Sequence, residues 1–113
     1  MIASPGMDPD IALLSATELA RAVRDRRISS RELLDHFLAR IERINPEINA
    51  VVTLDVDAAN RQAAAADQAT AGGGPLGPLH GLPVTVKDAI ETAGMRSTGG
   101  APELVGHVPA RCV

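Results

Sequence analysis

The chain has 113 residues, 45% of them hydrophobic, which is enough for one core of ordinary domain size and too little for two. Its formal charge of -3 offers no broad positive field to nucleic acid or to an anionic membrane surface, so neither is expected as a partner. One cysteine, Cys112, cannot build an internal disulfide framework, and of the 11 basic residues only Lys87 is a lysine.

Met1–Asp10 holds two prolines and two aspartates and no Lys or Arg, so it lacks the charged head and apolar run of a signal peptide. No apolar stretch reaches membrane-spanning length, and a cytoplasmic location is expected. Residues 1–14 read as a flexible N-terminal segment and 15–113 as the domain.

Ser15 and Glu18 have the spacing of a capping box, which predicts a helix from about Thr17 to Arg26. Ser29 and Glu32 repeat the device. Behind them Leu33, Leu34, Phe37, Leu38, Ile41 and Ile44 recur at helical spacing, with His36 on the polar side, facing solvent. Pro46 is expected to stop this helix, because the residue before a proline is steered out of the helical region.

Ala50–Leu54 is short, apolar and rich in β-branched residues, which suits a buried strand. Alanine density favours a third helix over Asp57–Thr70, ended by Gly72, Gly73 and Gly74; Ala63–Ala66 also fits a low-complexity linker. Pro75, Gly77, Pro78 and Gly81 then make an irregular approach to a second predicted strand, Leu82–Val86, with Pro83 at its start. Beyond Asp88 glycines and prolines dominate. Helices, strand, helix, strand is the order of a mixed α/β layer fold, here with too little regular structure in its last third to cover both strand faces.

The segment Gly81-Leu82-Pro83-Val84-Thr85-Val86-Lys87-Asp88 places the one lysine at the end of an apolar strand. Desolvation there would disfavour the ammonium and lower its pKa toward neutrality, and a neutral amine serves as a general base. A lysine that snorkels into water or pairs with Asp88 fits the same spacing, which does not choose between the two roles.

Residues 77–100, GPLHGLPVTVKDAIETAGMRSTGG, resemble the early stretch of the amidase-signature family, whose pattern is Gly-φ-Pro-φ-Ser/Thr-φ-Lys-Asp/Glu, with φ apolar. Upstream, the LSATELA run and RIERINPEINAVVTL fit as well, so that the resemblance covers roughly Ser15 to Ala110. It implies a large mixed sheet, of which this chain would carry the N-terminal helices and first strands. It also implies a cofactor-free, metal-free Ser-cisSer-Lys triad that hydrolyses a small-molecule carboxylic amide to acid and ammonia or amine. Only the lysine carries over, onto Lys87.

The family's two serines lie in a Gly/Ser-rich segment beyond Val113, so the chain reads as the front part of an amidase and is expected to be inactive alone. Ser97 is too close to the base to replace them, and Ser29 and Ser30 are explained by helix capping. The chain also departs from the family where Val108-Pro109-Ala110-Arg111 is followed by Cys112 rather than by an acidic or amide residue. Asp88 is expected to cap the turn after the strand, and His80 to bond backbone in a tight loop. His107 and Cys112 lack the second pair of a zinc site, and Lys87 lacks the neighbours of a phosphate loop. A second reading is a non-catalytic remnant whose uncovered strand edge and apolar faces favour self-association or pairing with another chain. A third is an unrelated small α/β binding module.

Overall fold

The structure is a computed structural model and describes residues 10–113. Three helices follow in order, α1 (Ala16–Arg24), α2 (Ser30–Ile48) and α3 (Val56–Gly72), with short 3-10 turns at Ile11–Leu13 and Pro102–Leu104. The chain divides into two compact units, one running through Ile48 and including Val56–Pro83, the other formed by Asn49–Asp55 and Val84–Val113.

In the first unit the capping boxes form as the spacing requires. Glu18 N–H donates to Ser15 Oγ at 3.2 Å and Ser15 N–H to Glu18 Oε2 at 2.7 Å. The same exchange joins Ser29 and Glu32, with both bonds at 3.0 Å. Each pair satisfies two of the backbone donors that a helix start leaves without intrahelical acceptors. The bond from Ser15 N–H, followed by one from the Ser15 hydroxyl, lowers the pKa of the Glu18 carboxyl.

α1 ends in a Schellman closure. Arg27 N–H reaches Ala22 O at 2.9 Å, Arg26 N–H reaches Val23 O at 3.1 Å, and Arg26 takes a left-handed φ of +59°. Glycine is the usual occupant of that position. Here Arg26 Nη2 donates to Thr70 O at 2.9 Å and Ala71 O at 3.2 Å, so the side chain that strains one helix end caps the carbonyls at another. The complementary contact lies at the start of α2, where Ser30 N–H and Arg31 N–H donate to the two oxygens of Asp67 at 2.6 and 3.2 Å. α2 and α3 pack together, and this late residue of α3 at the start of α2 makes them an antiparallel pair.

Pro46 does not stop α2, which continues to Ile48. A proline this close to the helix end removes one backbone bond and leaves little helix beyond to disrupt. The stop falls at Asn49, whose φ of +47° is a left-handed conformation that asparagine tolerates well. α3 ends as expected, with Gly73 at φ +71°.

The core is Ile11, Leu19, Ala22, Val23, Ile28 and Leu33, with Leu14, Phe37 and Leu82 packed partly buried against it. Of the expected N-terminal segment 1–14, residues 1–9 lie outside the described residues, as does most of the stretch read for a signal peptide; Ile11 is a core residue, 3% exposed. His36 is half-buried with its ring edge-on to Phe37 at 5.6 Å, not wholly turned to solvent.

The approach segment 77–83 is bound to the helices by side chains. Ser30 Oγ donates to Gly81 O at 2.8 Å. His80 Nε2 lies 3.1 Å from Ala66 O and 2.8 Å from Thr70 Oγ1, whose own hydroxyl donates to Ala66 O. A carbonyl only accepts, so the contact with Ala66 assigns the proton to Nε2.

The expected α/β fold with the first strands of a mixed sheet is overturned. Among the described residues there are helices and no strand. Ala50–Leu54 and Leu82–Val86 have the composition of strands, yet neither pairs with the other in a ladder. β-propensity measures how a side chain suits a pleated, half-buried surface; a strand exists only where a neighbouring strand accepts its hydrogen bonds. No helix among the described residues is long and apolar enough to cross a membrane.

Candidate functional site

The predicted site residue, Lys87, belongs to the second unit. Two irregular segments run alongside each other there in opposite directions. Ser97 N–H donates to His107 O at 3.0 Å, Gly94 N–H to Pro109 O at 3.0 Å and Val113 N–H to Glu91 O at 3.2 Å. The His107 imidazole closes the same pairing by donating from Nε2 to Glu91 Oε1 at 2.7 Å, and Ala93 N–H approaches Cys112 Sγ at 3.3 Å. The bonds are too unevenly spaced to form a ladder. Both candidates for half a zinc site thus have partners inside this pairing, and no group of three or more potential metal ligands gathers among the described residues.

Lys87 is exposed, as are Val84 at 70% and Val86 at 51%. The desolvation anticipated for a lysine at the end of a buried strand is therefore not found in this chain. Its carbonyl accepts from Ile90 N–H at 2.9 Å, forming a turn immediately after the motif.

Asp88 is the better-anchored neighbour. Its carbonyl accepts from Gly99 N–H at 3.1 Å, Oδ1 accepts from Thr98 N–H at 2.9 Å, and Oδ2 accepts from the Thr98 hydroxyl in a short bond. Thr98 Oγ1 in turn accepts from Gly100 N–H at 3.1 Å. The Thr98 hydroxyl, then the Thr98 N–H, hold the Asp88 carboxyl below the usual carboxylate range, with smaller contributions from Gly100 N–H and the Arg96 charge. Asp88 thus caps a loop ten residues downstream rather than the turn directly after its own segment, which is where its position predicts the cap.

Ser97 is 6% exposed, donates from Oγ to Met95 O at 3.1 Å and accepts from Thr92 N–H at 3.3 Å. Its hydroxyl serves the loop.

An open depression of about 290 Å³ lies in this unit, walled by Val52, Ala101, Pro102 and Val105 with Thr53, Arg96 and Thr98 as its polar side chains. Lys87 does not line it. Arg96 Nη2 reaches Val52 O at 3.5 Å, a long contact for a guanidinium. Sequence reasoning singled out Lys87 and Asp88 and left Thr98 without a role. The only signal was the Thr98-Gly99-Gly100 run, since two glycines in succession permit the left-handed φ values of +58° and +81° that turn both amides back.

The amidase family profile matches residues 32–111. Among curated relatives, the chain is 36% identical over 95 residues to an acylamidase of Rhodococcus erythropolis, covering 84% of this chain and 20% of the relative. It is 43% identical over 96 residues to one subunit of the glutamyl-tRNA(Gln) amidotransferase of Granulibacter bethesdensis, covering 85% and 19%. To a mandelamide hydrolase of Pseudomonas putida it is 43% identical over 97 residues, again 85% and 19%. The chain therefore spans about a fifth of the length of these relatives.

Proposed function

This chain belongs to the amidase family, and from that premise we propose that it is the N-terminal part of an amidase in which Lys87 is the general base. The observation that carries the reading is the GLPVTVKD motif, with the only lysine of the chain, inside the matched region 32–111. In the complete triad the Lys87 amine accepts a proton from a serine held by a cis peptide, and that serine takes one from the nucleophilic serine. The nucleophile attacks the amide carbonyl, the relayed proton returns to the leaving nitrogen as the tetrahedral intermediate expels ammonia or an amine, and water hydrolyses the acyl-enzyme to the acid. The names of two relatives, the acylamidase and the mandelamide hydrolase, favour a small-molecule carboxylic amide as substrate.

A base without its nucleophile forms no acyl-enzyme, so the 113-residue chain is expected to leave a panel of aliphatic and aromatic amides intact. The test of the base role grafts this chain in place of the matching N-terminal fifth of the mandelamide hydrolase. The graft should hydrolyse amides, and Lys87→Ala should reduce kcat by about 10²–10⁴-fold, the usual contribution of a positioned general base. A folded graft whose turnover survives Lys87→Ala would sink the base reading, and turnover by the 113-residue chain that Lys87→Ala abolishes would sink the inactivity.

The exposure of Val52, Leu54, Val84 and Val86 favours a second reading, in which the chain pairs with itself or another chain through these apolar segments. Sedimentation should then show a mass that rises with concentration. A monodisperse monomer that melts cooperatively contradicts it.

A further inference from the structure

Val84–Lys87 lies in no sheet ladder, so something else must set where the Lys87 amine projects. The anchors are concentrated at one end. Lys87 O accepts from Ile90 N–H, Asp88 O accepts from Gly99 N–H, and both Asp88 carboxylate oxygens are taken by Thr98, one by its amide and one by its hydroxyl. We propose that Thr98 is a positioning residue for Lys87, holding through Asp88 the main chain from which the amine projects.

This inference rests on Lys87 being the base, and it concerns what fixes that base in place. Thr98 acts at both ends of its hydroxyl, donating to Asp88 and accepting from Gly100 N–H. The Thr98 loop is itself tied down on its far side, because Ser97 N–H donates to His107 O while the buried Ser97 hydroxyl bonds Met95 O and Thr92 N–H. Asp88 is therefore bound to a braced loop. Neighbouring Cα atoms across a trans peptide are held about 3.8 Å apart, so a shift of Asp88 carries Lys87 with it. A general base must come within about 3 Å of the proton it takes, and a misplacement of about 1 Å costs on the order of 10²-fold in rate.

The single lysine makes the test direct. Lysine labelled with ¹⁵N gives one lysine backbone signal from the 113-residue chain, and its order parameter reports the rigidity of the main chain at Lys87. The wild-type value should be that of rigid backbone, about 0.85, and Thr98→Val, which keeps the shape and removes the hydroxyl, should bring it below about 0.6. Thr98→Ser restores the hydroxyl and should restore the order. In the mandelamide hydrolase graft, Thr98→Val should lower kcat about 10²-fold with KM unchanged, and Thr98→Ser should recover it. If Thr98→Val does not fold, Asp88→Asn, which replaces one acceptor by a donor, takes its place in both measurements.

Unchanged order at Lys87 in these variants overturns the inference. So does unchanged kcat in a graft that Lys87→Ala inactivates, or a loss that Thr98→Ser fails to recover. A graft indifferent to Lys87→Ala defeats the base reading instead, and the order parameter of the 113-residue chain still decides whether Thr98 holds Lys87.

Discussion

Gly81 has φ +77°, and a Cβ built on it would stand 2.7 Å from Val23 Cγ1, closer than side-chain carbons approach. Val23 is 1% exposed and β-branched, so it cannot rotate away. Gly81→Ala therefore combines a left-handed strain of about 1–2 kcal/mol with overpacking of about 1–3 kcal/mol, and should lower stability by roughly 3 kcal/mol in urea unfolding followed by helical circular dichroism. Truncating Val23 as well should recover the packing part and leave the strain. In the sequence Gly81 read only as one glycine of an irregular approach, because the residue that makes it obligatory sits on α1, far away along the chain. Lys87 was the reverse case. Its isolation as the only lysine and its motif were plain in the sequence, while its exposure followed from the missing ladder around it.

The helix ends show which elements a sequence announces. The Ser15/Glu18 and Ser29/Glu32 boxes were legible because both partners lie three residues apart, and they formed as read. Arg26 was not legible as a cap, since its acceptors, Thr70 O and Ala71 O, belong to another helix. Its two roles separate by mutation. Arg26→Ala keeps the left-handed strain and loses the guanidinium, and should destabilise by about 1–2 kcal/mol, the range for losing a cap or a hydrogen bond from a charged donor. Arg26→Gly relieves the strain as it loses the bonds, and should lie within about 1 kcal/mol of wild type. Thermal melts of the two variants check the order; a glycine variant less stable than the alanine variant would refute this division. Pro46 and the two apolar runs taught the complementary lesson. A local rule about proline yielded to its place in the last turns of α2, and local β-propensity at Ala50–Leu54 and Leu82–Val86 did not supply a partner strand.

Across the whole molecule, each unit holds one carboxyl among its described residues below its ordinary range, Glu18 through the Ser15 backbone bond first and Asp88 through the Thr98 hydroxyl first. A depressed folded pKa means that the ionised form is favoured by folding. Its contribution is fully present above the unfolded value, about 4, and is lost as pH falls through the lower folded value. The urea midpoint should therefore decline on acidification below about pH 4. Ser15→Ala should flatten that decline when helical dichroism is followed, and Thr98→Val when exchange of the Gly99 amide is followed. A midpoint rising in that range would contradict the assignment. Both carboxyls stand near solvent, which keeps the effect modest. The sequence by itself determined the family, three helices with the capping boxes of the first two, and the lysine that carries the proposed chemistry, because each is written in residue identity or in spacings of a few positions. Only the tertiary structure decided that Gly81 must lack a side chain, that Arg26 and Asp67 serve helices other than their own, that no strand forms among the described residues, and that Thr98 grips Asp88. Each of these depends on which distant groups meet, and hydrogen-bond partners far apart along the chain leave no periodicity in the sequence.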